Sequence, residues 1–289
     1  MDYELLLYDR IHIIRDVIQK YGEDQFYLSF SGGKDSTILH YLLDMALPNN
    51  KIPRVFINTG IEYVKIVEFV KELALQDQRF VFIPPSKPIR QLLEEYGYPF
   101  KSKEHSAKLH EYQKGNRETK SMKKYLGEGR FSCPKALKYQ FSDDFKLNVS
   151  QFCCLKLKKE PSKKWAKENN KTILITGMRK EEGGQRINLN CILTDKKGNI
   201  IKFHPLAVID EEFEDEFIKR NNIKLCELYY PPYNFLRTGC AGCPFNLHLQ
   251  EQLDIMELLL PAERRRCEII WNKVYKEYRR IGYRLRKEN

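Results

Sequence analysis

The chain has 289 residues and 42% hydrophobic content, enough for a sizeable core in one large domain or in a domain with an appendage. Its 50 Lys and Arg against 39 Asp and Glu leave a formal net charge of +11, which fits a polyanionic partner, a role that nucleotide substrates alone can partly fill. No run approaches the roughly 18 apolar residues that cross a bilayer, and Met1-Asp2-Tyr3-Glu4 opens no signal peptide, so a cytoplasmic protein with no membrane partner is expected. Its eight cysteines then read as reduced thiols, metal ligands or redox residues and not as a disulfide framework.

Leu5, Leu6, Ile11, Ile14, Val17 and Ile18 recur at helical spacing and predict an amphipathic helix over residues 4–20. Phe26-Tyr27-Leu28-Ser29-Phe30 reads as a buried strand, and Thr37 to Leu43 as a helix. Between them lies Ser31-Gly32-Gly33-Lys34-Asp35-Ser36. Two glycines at a strand-to-helix turn let backbone N–H groups approach an anion, and the helix start adds unpaired N–H groups and the positive end of its dipole. The segment is therefore read as a phosphate cradle; the Walker spacing Gly-x-x-x-x-Gly-Lys-[Ser/Thr] is absent. Lys34 can neutralise a phosphate, Ser31 and Ser36 can donate to its oxygens, and Asp35 can position Mg²⁺ or cap the helix.

Val55-Phe56-Ile57 and the turn Asn58-Thr59-Gly60 read as a second strand and its end, Tyr63 to Leu75 as a crossover helix, and Phe80 to Ile83 as a third strand halted by Pro84-Pro85. Ile89 to Tyr96 is helical in pattern. This alternation predicts an α/β fold, a doubly wound parallel sheet with its ligand at the carboxyl ends of the strands. Residues 100–150 break the pattern and read as a basic insertion or lid. Between Lys101 and Arg130 there are nine Lys and Arg against four Glu, interleaved with His105, His110, Tyr112 and Tyr125. Such a stretch either tracks a nucleic-acid backbone while its rings stack on bases, or is a solvated insertion.

Thr172 to Thr176 reads as a further strand, entering Gly177-Met178-Arg179 with Arg186 seven residues on. Cys191 to Thr194 and Ile200 to Phe203 suggest a hairpin, Glu211 to Asn221 a helix, and Leu253 to Tyr283 a helical C-terminal segment. The expected division is a nucleotide-binding domain at 1–225, insertion included, and a segment at 226–289 packed on it. Cys153-Cys154 and Cys240-Ala241-Gly242-Cys243 offer four thiolates. Adjacent cysteines are awkward for one tetrahedral Zn²⁺ and easier for an iron-sulfur cluster, whose ligands bind separate irons. One of the pair can equally be a buried core thiol. Cys133 is a candidate redox thiol or substitute ligand; Cys191, Cys226 and Cys267 read as core, and His40 and His204 as structural.

Ser-Gly-Gly-Lys-Asp-Ser resembles the PP-loop of the ATP pyrophosphatase and PAPS-reductase group, whose members share an adenine nucleotide alpha-hydrolase fold related to the Rossmann type. The resemblance continues through Asn58-Thr59-Gly60, a Gly-x-Arg-x-x-Glu-x-x-x-Arg stretch at Gly177 to Arg186, His204-Pro205-Leu206, and Arg237-Thr238-Gly239-Cys240 to Pro244. It implies nucleotide binding by Ser29, Ser31, Gly32, Gly33, Lys34, Asp35, Ser36, Asn58, Thr59, Gly60, Gly177 and Arg179. It further implies catalytic roles for Lys34, Asp35, Arg179 and Arg186, with Cys133 a candidate beside them. The cysteine layout is similar to that of the adenylylsulfate reductases, which implies a 4Fe-4S cluster on Cys153, Cys154, Cys240 and Cys243, with Zn²⁺ the alternative.

Reductases of the group carry a C-terminal Glu-Cys-Gly-Leu-His-like motif and tend to have altered PP-loops. Here that motif is missing after Cys243 and the loop is intact. Both departures resemble the ATP-consuming members, among them the C-type DNA phosphorothioation enzymes. The expectation is an ATP- and Mg²⁺-dependent enzyme that adenylylates a substrate oxygen in support of sulfur transfer, on nucleic acid as one candidate acceptor, with a cysteine desulfurase as a candidate donor. The alternatives are a PAPS or APS reductase working with thioredoxin, and a binding regulator without turnover.

Overall fold

The computed structural model describes residues 2–183 and 186–287, so Gly184 and Gln185 of the stretch from Gly177 to Arg186 lie outside the described residues. In chain order the elements are α1 (Tyr3–Tyr21), β1 (Phe26–Phe30), α2 (Lys34–Ala46), β2 (Arg54–Ile57), α3 (Val64–Gln76), β3 (Phe80–Ile83), α4 (Ile89–Tyr96), α5 (Lys103–Gln113) and α6 (Lys120–Leu126). After these come α7 (Glu160–Glu168), β4 (Ile173–Ile175), β5 (Ile192–Thr194), β6 (Ile200–Phe203), α8 (Glu211–Arg220), α9 (Leu249–Leu259) and α10 (Pro261–Ile281). The chain forms two compact units. The first holds Met1–Asn58, Glu62–Pro84 and Pro161–Gly239; the second holds Thr59–Ile61, Pro85–Glu160 and Cys240–Asn289.

The first unit is built on one sheet of strand order β3-β2-β1-β4-β6-β5, parallel except that β5 runs antiparallel to β6. Side chains alternate between the faces of a strand. On β1 the Phe30 ring meets His40 of α2 at 6.1 Å, while Tyr27 meets Trp165 of α7 at 5.6 Å and its hydroxyl lies 3.3 Å from Ser162. Helices therefore cover both faces, the doubly wound α/β arrangement that the alternation predicts. The β5–β6 pair is the expected hairpin, closed where the Asp195 N–H donates to the Asn199 carbonyl at 2.8 Å.

Strand β2 begins one residue earlier than its apolar run, at the fully buried Arg54. The guanidinium donates to Asp44 at 2.7 Å, Asn50 at 2.7 Å and His40 Nδ1 at 3.2 Å, and Asp44 also accepts from Arg79 at 2.7 Å. A buried charge is tolerated only when paired in this way.

The second unit unites pieces that the sequence keeps apart, so the division differs from the contiguous one at 225/226. Residues 85–160 group with 240–289 because the C-terminal helix packs on them: Lys273 pairs with Glu94 at 2.7 Å, Phe100 meets the Tyr278 ring at 4.5 Å, and the Tyr278 hydroxyl accepts from the Lys101 N–H at 2.7 Å. The stretch 100–150 buries Leu109, Met122, Leu137 and Val149. The C-terminal helical segment is two helices, since Pro261 opens a new one at its first turn.

Candidate functional site

The phosphate cradle is where the sequence places it, at the N-terminus of α2 after β1 in the first unit. Gly32 has φ +73°, and a Cβ there would stand 2.9 Å from Ile66 Cγ2, so the turn requires glycine. Gly33 caps α2, its carbonyl accepting from the Ser36 and Thr37 hydroxyls at 3.0 Å each. The Ser31 and Ser36 hydroxyls lie 3.0 Å apart, and the Gly33 N–H donates to Ser31 Oγ at 3.3 Å. Together with Ser29, Lys34, Asp35, Thr176, Gly177, Met178, Arg179 and Arg186 they line a cleft of about 660 Å³. At Gly177 a Cβ would approach the Asp35 carbonyl oxygen to 3.0 Å, so glycine lets the strand β4 exit close over α2.

The cations of the cleft are matched by carboxylates. Lys34 Nζ lies 3.3 Å from Glu214, 3.5 Å from Glu211 and 3.5 Å from Asp215, all on α8. Arg179 pairs with Asp35 at 2.9 Å, Glu181 at 2.6 Å and Glu214 at 3.2 Å. Burial works against the Lys34 and Arg179 charges, yet Glu214 and its neighbours outweigh it and hold both groups above their ordinary values. Glu214 is fully buried, and burial together with the Asp35 charge pushes its carboxyl up to about 8. Arg186 and Arg237 both pair with Glu182 at the cleft wall.

Glu214, Tyr229 and Thr238 escaped the sequence reading as site residues. The Tyr229 hydroxyl accepts from the Lys34 N–H at 3.0 Å and lies 3.0 Å from the Thr238 hydroxyl, so it occupies one of the amides that a helix start offers to an anion. The acidic run on α8 looks like a solvated face; the signal that it is not is the pair Phe213 and Phe217, both buried, bracketing Glu214. His204 is buried, 2.7 Å from the Thr176 hydroxyl, and burial lowers it to about 4, which leaves a neutral ring positioning a cleft residue.

The model of the phosphoadenosine phosphosulfate reductase domain matches residues 25–133 and 132–246, most of the chain. The chain belongs to this family. Its PP-loop lies at the turn from β1 to α2 of the mostly parallel sheet. An uncharacterized protein of Methanocaldococcus jannaschii is 24% identical over 259 residues, which cover 88% of this chain and 48% of that relative, so the chain spans about half the relative's length. Among solved structures, the PAPS reductase of Candida auris in its phosphate complex is similar at TM-score 0.42 and 14% identity, over 75% of this chain and 88% of the other. The NH3-dependent NAD synthetase of Campylobacter jejuni is similar at TM-score 0.44 and 14% identity, over 98% and 96%. Candida glabrata FMN adenylyltransferase in complex with ATP is similar at TM-score 0.45 and 14% identity, over 79% and 60%. Family membership rests on the family model alone. Among the described residues no helix is long and apolar enough to cross a membrane.

Other expected residues of this PAPS reductase family member lie elsewhere. Asn58, Thr59 and Gly60 are not among the described residues lining the cleft; Thr59 is buried, and the carbonyl of Ile61, which follows Gly60, accepts the Ala241 N–H at 2.8 Å, which ties this turn to the Cys-x-x-Cys loop. That loop is fixed by α10: the Trp271 indole donates to the Ala241 carbonyl at 3.0 Å, Tyr275 to that of Gly242, and Tyr278 to that of Pro244 at 2.9 Å. Cys153 and Cys154 lead into a π-helical turn, Leu155–Lys159, in the same unit. No cysteine is in a disulfide. Burial raises the Cys153 thiol, and Cys154, Cys240 and Cys243 raise it further. Among the described residues, though, no three His, Cys, Asp or Glu side chains are placed to hold a metal ion. Cys133 is 2% exposed in the second unit, its thiol raised by burial.

Proposed function

We propose that the chain binds ATP in the first-unit cleft and adenylylates a substrate oxygen, preparing it for replacement by sulfur. The observation that carries this reading is the intact loop: Ser31, Gly33, Lys34 and Ser36 line the cleft at a helix N-terminus, opposite Arg179. In this reading the cradle and Lys34 grip the β- and γ-phosphates, and Arg179 and Arg186 face the α-phosphate. The acceptor oxygen bonds to that phosphorus as the bond to the β-phosphate oxygen breaks, and pyrophosphate leaves. A sulfur nucleophile from a donor protein then displaces AMP. The Asp35 carboxylate suits Mg²⁺, which binds one or two carboxylates plus substrate phosphates and neutralises the departing pyrophosphate when present. Pyrophosphate release from ATP by the purified chain tests the reading; no release with any acceptor, alongside tight binding of a sulfonucleotide, contradicts it.

In the second unit, Cys153, Cys154, Cys240 and Cys243 are the residues that would hold a 4Fe-4S cluster. Their donor chemistry suits it: all four are thiols outside any disulfide, and adjacent cysteines reach separate irons more easily than one. When bound, such a cluster supplies electron- or sulfur-transfer capacity. Iron content and visible absorption of anaerobically purified protein test it, with loss of both expected in Cys240→Ser.

The family's name favours a second reading, a reductase that cleaves a sulfonucleotide to sulfite. The thiol it needs is not supplied by Cys133, which is buried and raised, or by Cys267, which is 1% exposed and pushed to about 12, since reactivity belongs to the accessible thiolate. A partner's thiol, as from thioredoxin, then has to provide it, and thioredoxin-dependent sulfite production establishes this reading.

A further inference from the structure

The net charge of +11 is not shared between the two units. The first unit carries 23 Lys and Arg against 23 Asp and Glu; the second carries 27 against 16, so the whole excess resides there. Much of it lies on the α5–α6 segment and the loop that follows. Lys103, Lys114, Lys120, Lys124 and Lys135 are exposed and have no carboxylate partner among the described residues.

These lysines stand on an ordered platform. His105 is fully buried between the Tyr125 hydroxyl at 2.9 Å and Gln140 Oε1 at 2.7 Å, so α5, α6 and the following loop share one polar hub. Lys108 Nζ donates to Ser121 Oγ at 3.0 Å, and the Cys133 N–H to the Tyr125 carbonyl at 2.6 Å. The structure also corrects the expectation that the interleaved rings stack on bases. His105 and Tyr125 are inside, and Tyr112 lies beneath the Arg117 guanidinium at 4.6 Å. Among the aromatic residues of 101–135, Phe131 alone is largely exposed, at 72%.

We infer that the α5–α6 face of the second unit docks the phosphate backbone of duplex nucleic acid, without reading sequence. Unpaired lysines on a fixed surface complement a line of phosphates and release their counterions, whereas single strands need a row of exposed rings that this face lacks. Lysine ammonium groups meet phosphates as point charges and carry no base code.

The test is fluorescence anisotropy of the full chain with labelled duplexes of two unrelated sequences, across a salt series and without ATP, so that failure leaves the adenylylation reading untouched. For about five phosphates contacted, log K should fall against log salt with a slope of about −4 to −5, and the two sequences should agree within about threefold. Lys120→Glu/Lys124→Glu should weaken binding about tenfold or more, as should Lys103→Glu/Lys114→Glu, with melting unchanged. The control, Lys163→Glu/Lys164→Glu on the exposed face of α7 in the neutral unit, should cost less than about threefold. A flat salt profile, an equal loss in the control, preference for single strands, or binding to anionic lipid vesicles in place of duplex would overturn the inference.

Discussion

Lys34 and Lys120 each stand first in a helix, α2 and α6, and meet opposite surroundings. Lys34 has three carboxylates within 3.5 Å and is largely buried; Lys120 is exposed, with no carboxylate partner among the described residues. The contrast extends to the units. In the first, the charges at Lys34, Arg54, Arg79 and Arg179 are answered internally, so a substrate anion must compete with or replace resident carboxylates. In the second, the surplus faces water and is open to a partner. Position in a helix, or residue type, does not say which role a lysine has; the neighbours that tertiary packing brings do.

The largest effect should come from breaking the internal pairing. Arg54→Ala takes the buried guanidinium from Asp44, Asn50 and His40 and should cost about 3–5 kcal/mol of unfolding free energy, read by urea titration. Next, Lys34→Ala should lower pyrophosphate release at least about 100-fold, since it removes a charge-stabilising group aimed at the leaving phosphates. Duplex binding by the same variant should be unchanged, which separates the two units by function.

Glu214→Gln should act on pH dependence. With its carboxyl at about 8 when folded, against 4.5 ordinarily, the folded chain keeps a proton that the unfolded chain has lost between about pH 5 and 8. Stability should therefore fall as pH rises through that window, and the slope should flatten in the variant. His40, His105 and His204, each lowered to about 4 by burial, work in the other direction: their contribution is present above about pH 6.5 and is lost as pH falls toward 4. The smallest effect is expected at Lys120→Ala, within about 0.5 kcal/mol of the parent in stability, because the side chain is exposed.

The cradle was legible because its chemistry is local: glycines, hydroxyls and a lysine in sequence, between a strand and a helix whose periods are plain. The doubly wound parallel sheet followed from the alternation. Glu214 was not legible, because an acidic run on an amphipathic helix is ordinarily solvated, and only the packing of α8 turns this one residue inward. Arg54 was missed for the same reason: it stands just before the apolar run of β2, and its partners lie on α2 and in the turn that follows α2. The stretch 101–130 was legible as basic, whereas composition does not reveal that His105 and Tyr125 are buried within it.

Calorimetric titration of the purified chain with ATP and Mg²⁺, wild type beside Lys34→Ala, tests the central claim most directly. The account expects saturable binding by the wild type and at least about tenfold weaker binding by the variant, matching the loss of a charge-assisted phosphate contact. Equal binding by the two proteins, or no binding of ATP where PAPS saturates the chain, would contradict it.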